Sequence, residues 1–108
     1  MKHLVVIVVG SVLALAIASP SVGQDLAVKG EKVYGAQKCS LCHAIGDKGN
    51  KKGPLDGVGT KLKADEIRKW IVSPGEMKAE RKPPMKAFDK LPKDDVDALV
   101  AYMQSLKK

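Results

Sequence analysis

Both cysteines of the chain lie in one short stretch, Lys38-Cys39-Ser40-Leu41-Cys42-His43, with a histidine directly behind the second. Four chemistries use thiols at this spacing: a disulfide, a redox dithiol, a zinc site and haem attachment. A disulfide would suit an exported chain, but it would close a tiny loop, restrain little unfolded-state entropy and leave His43 idle. A thioredoxin-type dithiol sits where a strand runs into a helix, whereas here the motif follows a helical pattern. Zinc needs four ligands. Beyond this cluster the sequence after residue 23 holds no further cysteine and no further histidine.

Haem attachment uses every residue of the cluster. Sulfurs at i and i+3 share a face of a helical turn, the spacing that alkylates the two vinyl groups on one porphyrin edge. His43 then follows closely enough to ligate the same iron, and Cys-x-x-Cys-His is the attachment signature. The sixth iron position separates carrier from catalyst, because a filled one favours plain electron transfer. The methionines after residue 23 are Met77, Met85 and Met103. Met103 belongs to an apolar helical stripe and reads as core. Met77 follows the turn Ser73-Pro74-Gly75-Glu76. Met85 follows Pro83-Pro84, which limit the backbone freedom lost when a thioether is pinned, and it is the preferred ligand. A methionine sulfur favours ferrous iron and raises the reduction potential.

The elements that must carry these groups are helical. Asp25 to Gln37 reads as a first helix, with Asp25 as cap and Leu26, Gly30, Val33 and Tyr34 at helical spacing. Gly30 costs about 1 kcal/mol against alanine inside a helix, which makes sense only if another helix crosses closely there. Residues 46–59 read as a loop. A short helix over Ala64 to Val72 follows, with Ile67, Trp70 and Ile71 on one face, stopped by Ser73-Pro74-Gly75. Residues 73–90 read as irregular. The final helix opens near Pro92, with Asp94 and Asp95 in its first turn, Lys107 and Lys108 at its end, and Val96, Leu99, Val100, Met103 and Leu106 as its stripe. No strand is evident. The expected fold class is all-α, three to four helices with long loops that wrap a ligand.

The N-terminus reads as a secretory signal peptide: Lys2 and His3, an apolar run from Leu4 to Ala18, then small residues. The run of 15 residues is short of the ~20 that cross a bilayer core. Cleavage is expected after Gly23, with Ala18 as the second choice, so residues 1–23 are removed and 24–108 form one domain without membrane insertion. The remaining 85 residues carry 18 Lys and Arg against 12 Asp and Glu, a net charge of +6. The lysines are scattered and no aromatic cluster interleaves with them, which argues against nucleic-acid binding. An acidic protein surface is the better match, beside the plainer reading of a solvated surface.

Taken together, these segments resemble the class I c-type cytochromes, monohaem electron carriers, across essentially all of Asp25 to Lys108. "VKGEKVYGAQKCSLCHAIG" looks like the family's first helix entering its haem motif, and "DALVAYMQSL" like the last helix, where Leu99 and Tyr102 would meet Gly30. "KKGPLDG" resembles the segment in which the carbonyl of Pro54 accepts a hydrogen bond from His43 Nδ1. "EIRKWIVSP" nominates Trp70 as a side chain leaning into the haem pocket, and "KPPMKAFDKLPKDDVDALVAY" resembles the loop of the methionine ligand, which agrees with Met85. Three departures stand out: Lys86 where a proline commonly follows the ligand, Pro92 where Ser or Thr commonly caps, and a locally lysine-rich loop from Asp47 to Lys52. The resemblance implies a small cytochrome c fold around one haem c, bound through Cys39 and Cys42 and ligated by His43 and Met85. It also implies a periplasmic, monomeric one-electron carrier rather than an enzyme, passing electrons between larger redox partners. Lys38, Lys48, Lys51, Lys52 and Lys86 are the candidate docking cations. A catalytic haem protein or enzyme-complex subunit, with a labile sixth position, is the alternative; a non-haem redox or metal module is a third.

Overall fold

Apolar spacing of three and four residues sets the frame of the molecule, a computed structural model that describes residues 22–77 and 85–107. Helix α1 spans Val22–Ala36, α2 Val58–Lys61, α3 Ala64–Val72, α4 Pro74–Met77 and α5 Lys93–Ser105. Three of these are true helices; α2 and α4 are single turns. A 3-10 turn covers Cys39–Leu41. Of the expected signal segment, 1–23, residues 1–21 lie outside the described residues, as do Pro83 and Pro84.

Helix α1 begins at Val22, three residues earlier than expected. Asp25 therefore sits inside the first turn, where its charge favours the positive end of the helix dipole, instead of capping it. Helix α5 opens after Pro92 with Asp94 and Asp95 in its first turn. Its end differs from expectation: the helix stops at Ser105 with no basic residue in the last turn, so Lys107 falls beyond the dipole's reach. In α3, Glu66 reaches back to accept the Lys63 N–H at 3.1 Å, closing a first turn that no Ser or Thr caps. Pro74 starts α4 directly after the α3 stop, where a missing N–H costs nothing.

The absence of strands needs correcting. Ala44–Ile45 (β1) and Lys48–Gly49 (β2) pair antiparallel, with Ala44 opposite Gly49 and Ile45 opposite Lys48. Glycines at positive φ, Gly46 at 59° and Gly49 at 103°, allow this small hairpin where a β-carbon would resist it.

Ile67, Ile71, Val96, Leu99, Val100 and Met103 form the buried core. Val33, Tyr34, Ile45, Leu55, Phe88 and Leu91 pack against it only partly buried. Met103 is thus a core side chain, as its place on the stripe predicts. Helices α1 and α5 make the largest contact between elements, and Gly30 explains it. A β-carbon there would run into the carbonyl oxygen of Ala98 and lie 2.6 Å from Tyr102 Cβ. The nearest neighbours of Gly30 are therefore Ala98 and Tyr102; Leu99 turns into the core. One turn on, the Tyr34 and Tyr102 rings meet edge to face at 5.7 Å, a favoured aromatic geometry. Lys29–Asp95 at 3.6 Å ties α1 to α5 and Arg68–Asp97 at 2.6 Å ties α3 to α5.

Lys38 links α1 to the cysteine turn in the left-handed region, at φ 58° and ψ 38°. That conformation costs a non-glycine residue about 1–2 kcal/mol, part of which glycine returns through its looser unfolded chain. Lys38→Gly is expected to stabilise the protein by about 0.5–1 kcal/mol, read as a higher denaturant midpoint.

Candidate haem-attachment site

The turn that closes α1 brings the two thiols together. In the 3-10 turn, residues three apart eclipse one another, and Cys42 N–H (3.2 Å) and His43 N–H (3.0 Å) both donate to the Cys39 carbonyl. Cys39 is half-buried and Cys42 exposed, and neither is in a disulfide. Burial, the largest influence, pushes the Cys39 thiol above its ordinary range; a backbone hydrogen bond opposes it and Cys42 adds to it. The thiol therefore keeps its proton at neutral pH.

His43 is held from its far side. Its Nδ1 lies 3.0 Å from the carbonyl oxygen of Gly53. A carbonyl only accepts, so Nδ1 carries the ring proton and Nε2 keeps a lone pair for a metal. The expectation named Pro54 as this acceptor, and the structure replaces it with Gly53. The reason is the bridge pairing Ala44 with Pro54. Ala44 N–H donates to Gly53 O at 3.0 Å and Leu55 N–H donates to Ala44 O at 2.8 Å, which faces the Gly53 carbonyl towards His43 and the Pro54 carbonyl away. Gly53 must be glycine: a β-carbon would strike the Cys42 carbonyl and sit 3.1 Å from His43 Nδ1.

Asn50, which sequence reasoning passed over as part of a lysine-rich loop, binds the same turn. Its N–H donates to Ser40 O at 3.1 Å and to His43 O at 2.9 Å. Its Nδ2 donates to Leu41 O at 3.2 Å, while its Oδ1 accepts the Lys52 N–H at 3.0 Å. An asparagine three residues before a glycine is a turn signal, and that was the legible clue.

The remaining predicted residues come from the other half of the chain. Trp70 is half-buried on α3 and Met77 half-buried at the end of α4. Met85 is half-buried three residues before Phe88, whose N–H donates to Ile71 O at 2.9 Å. That bond anchors the Met85 segment to α3 beside Trp70. Lys86 stands over the Phe88 ring, 5.6 Å from its centroid.

The donor chemistry fits a haem. It comprises an imidazole with its proton directed away, soft sulfur, and two thiols on one turn. Among the described residues no three His, Cys, Asp or Glu side chains converge as ligands of a bare metal ion. Around the core, Val33, Tyr34, Ile45, Leu55, Phe88 and Leu91 are only partly buried, an apolar lining that a bound planar group would cover. A depression of about 450 Å³ lined by Pro54, Asp56, Gly57, Thr60 and Lys61 lies off this turn, without a sulfur or imidazole among its walls.

Tyr34 borders the site. Its hydroxyl is enclosed without a hydrogen-bond partner among the described residues. Burial pushes its phenol up to about 12 from 10.0, with Cys39 and Tyr102 adding smaller contributions. Burial raises Tyr102 as well, helped by Glu31. A phenol that holds its proton more tightly when folded contributes fully below about pH 10, and that contribution is lost as pH climbs towards 12. Tyr34→Phe is expected to hold or raise stability at pH 7, since it removes an unpartnered buried hydroxyl. It should also flatten the fall in unfolding midpoint from pH 10 to 12, leaving the part due to Tyr102.

A small helical domain presenting two thiols and a proton-directed imidazole on one turn defines the attachment-site class. Residues 27–107 match the family model described as Cytochrome c, and the chain belongs to the cytochrome c family. It is also 29% identical over 93 residues to cytochrome c oxidase subunit 2 of Alkalihalophilus pseudofirmus. That alignment covers 78% of this chain and 27% of the relative, so the chain spans about a quarter of that protein's length. No solved structure matches the chain. Membership implies a haem c and haem-based electron transfer. Among the described residues no helix is long and apolar enough to cross a membrane.

Proposed function

We propose that this chain is a free one-electron carrier, exported to the periplasm by a cleaved signal peptide and monomeric, that shuttles electrons between larger redox proteins. A haem would be held by Cys39 and Cys42 through thioether links, with His43 and Met85 as iron ligands and Trp70 against the pocket. The observation that carries this reading is the His43 ring: Gly53 fixes its proton on Nδ1, which leaves Nε2 for iron on the same turn as both thiols. Bound there, haem iron takes up and releases one electron. The chain's part is to hold it, exclude water and supply a soft sulfur that raises the potential.

Lys38, Lys48, Lys51, Lys52 and Lys86 are all exposed, and Leu41 between the cysteines is 69% exposed. Exposed lysines together with an exposed apolar side chain suit a partner with an acidic docking surface. Electron-transfer rates with such a partner should fall as ionic strength rises; rates indifferent to salt would remove the docking proposal.

The ligand assignment is tested by ferric spectra of the wild type, Met85→Ala and Met77→Ala. The sulfur-to-iron charge-transfer band should vanish in Met85→Ala and persist in Met77→Ala. Loss only in Met77→Ala would reverse the assignment. The similarity to an oxidase subunit supports a second reading, a subunit of an enzyme complex. Carbon monoxide separates a carrier from a catalytic haem, since a tight methionine resists displacement from ferrous iron and an open position does not.

A further inference from the structure

We infer that Asn50 is the positioning residue for the His43 ligand, setting the electronic character of the imidazole through a closed circuit of hydrogen bonds. The inference rests on the reading of His43 as an iron ligand. The circuit has three links. Asn50 N–H donates to the His43 carbonyl at 2.9 Å, Gly53 N–H donates to the Asn50 carbonyl at 3.1 Å, and His43 Nδ1–H donates to the Gly53 carbonyl at 3.0 Å. The backbone and ring of one histidine are thus tied to the two ends of one four-residue turn, Asn50 to Gly53.

The asparagine side chain makes that turn specific. Its Oδ1 accepts from Lys52 N–H, folding the loop back on itself so that the Gly53 carbonyl arrives at His43. Its Nδ2 simultaneously donates to Leu41 O inside the Cys39–Cys42 interval. The amide orientation follows from these partners, because exchanging its oxygen and nitrogen would set acceptor against acceptor and donor against donor. Alanine at 50 would keep the backbone links available but remove both side-chain braces, letting the loop drift and the Gly53 carbonyl retreat from Nδ1.

The consequence has a sign. A hydrogen bond from Nδ1–H to a carbonyl makes a ligating imidazole more basic and favours ferric iron. Weakening it favours ferrous iron, so the reduction potential rises. The test measures the reduction potential of the holoprotein and the solvent exchange of the His43 Nδ1 proton by NMR, for wild type, Asn50→Ala and Asn50→Ser. Serine retains a neutral oxygen able to accept from Lys52 N–H but cannot reach Leu41. Asn50→Ala is expected to raise the potential and speed Nδ1 proton exchange, with Asn50→Ser between it and the wild type. If Asn50→Ala does not mature, the same shifts in Asn50→Ser alone support the inference, and their absence there overturns it. A lower melting temperature with unchanged potential and exchange would also overturn it, leaving Asn50 a loop brace only. A wild-type spectrum without a histidine-ligated low-spin iron would instead sink the ligand reading itself, whatever Asn50 does.

Discussion

Exchanging Cys39 and Cys42 together for alanine is expected to abolish haem retention and, with it, most of the folded population. Attachment would consume both thiols, each S–H adding across one vinyl group with nothing released. Without them only His43 and the proposed methionine would hold a haem, through bonds that exchange. The thermodynamic consequence follows from the size of the core. A chain this short draws about 3–5 kcal/mol at most from one hydrophobic core, and here the fully buried part is small. Ile45, Leu55, Phe88 and Leu91 lie only partly buried around it, where a planar apolar group would complete their burial. Each such side chain is worth about 1.5–3 kcal/mol when fully covered, so the double variant loses stability comparable to its whole reserve. The measurements are porphyrin absorbance after denaturation and desalting, expected to be nil, and helical circular dichroism, expected to fall well below that of the wild type. A colourless wild type whose folding tolerates the double exchange would mean that a non-haem module had been mistaken for a carrier.

The second large effect is at the helix crossing. Gly30→Ala is expected to destabilise by about 2 kcal/mol or more, although alanine is worth up to about 1 kcal/mol over glycine in a helix. The added carbon would meet the Ala98 carbonyl and lie 2.6 Å from Tyr102 Cβ. Neither is the end of a flexible side chain, so α1 and α5 must part, and the Tyr34–Tyr102 edge contact parts with them. Gly35 supplies the control on the same helix: a β-carbon there meets nothing within 4 Å. Gly35→Ala is expected to stabilise by up to about 1 kcal/mol. Denaturant midpoints of the two variants should therefore move in opposite directions, and a shared direction would refute the close crossing.

Much of the fold was legible because it rests on periodic apolar positions. Ile67 and Ile71 announce α3, and Val96, Leu99, Val100 and Met103 announce α5, at the spacing that buries one face. The glycine in α1 was readable as a crossing before any second helix was placed against it. What escaped was local backbone geometry. The hairpin at Ala44–Gly49 has strands too short for any alternation to show, and it depends on positive φ at two glycines. The switch of the His43 partner from Pro54 to Gly53 depends on which carbonyl a parallel bridge turns inward, a property of pairing rather than composition. Asn50 was hidden for the same reason: its partners are main-chain atoms, which no side-chain pattern reports. At the site, the Cys39–His43 turn stands out by residue type and spacing. Met85 is nominated as a ligand by elimination, by the two prolines before it and by resemblance, and its link to α3 through the Phe88 to Ile71 hydrogen bond is visible only in three dimensions.

The intact mass of the exported, denatured and desalted protein tests the central claim most directly. It should equal the polypeptide from Gln24 plus one haem, with nothing lost, and tryptic fragments should locate the added mass on the peptide holding Cys39 and Cys42. A mass equal to the polypeptide alone, from cells that mature other c-type haem proteins, would contradict the account.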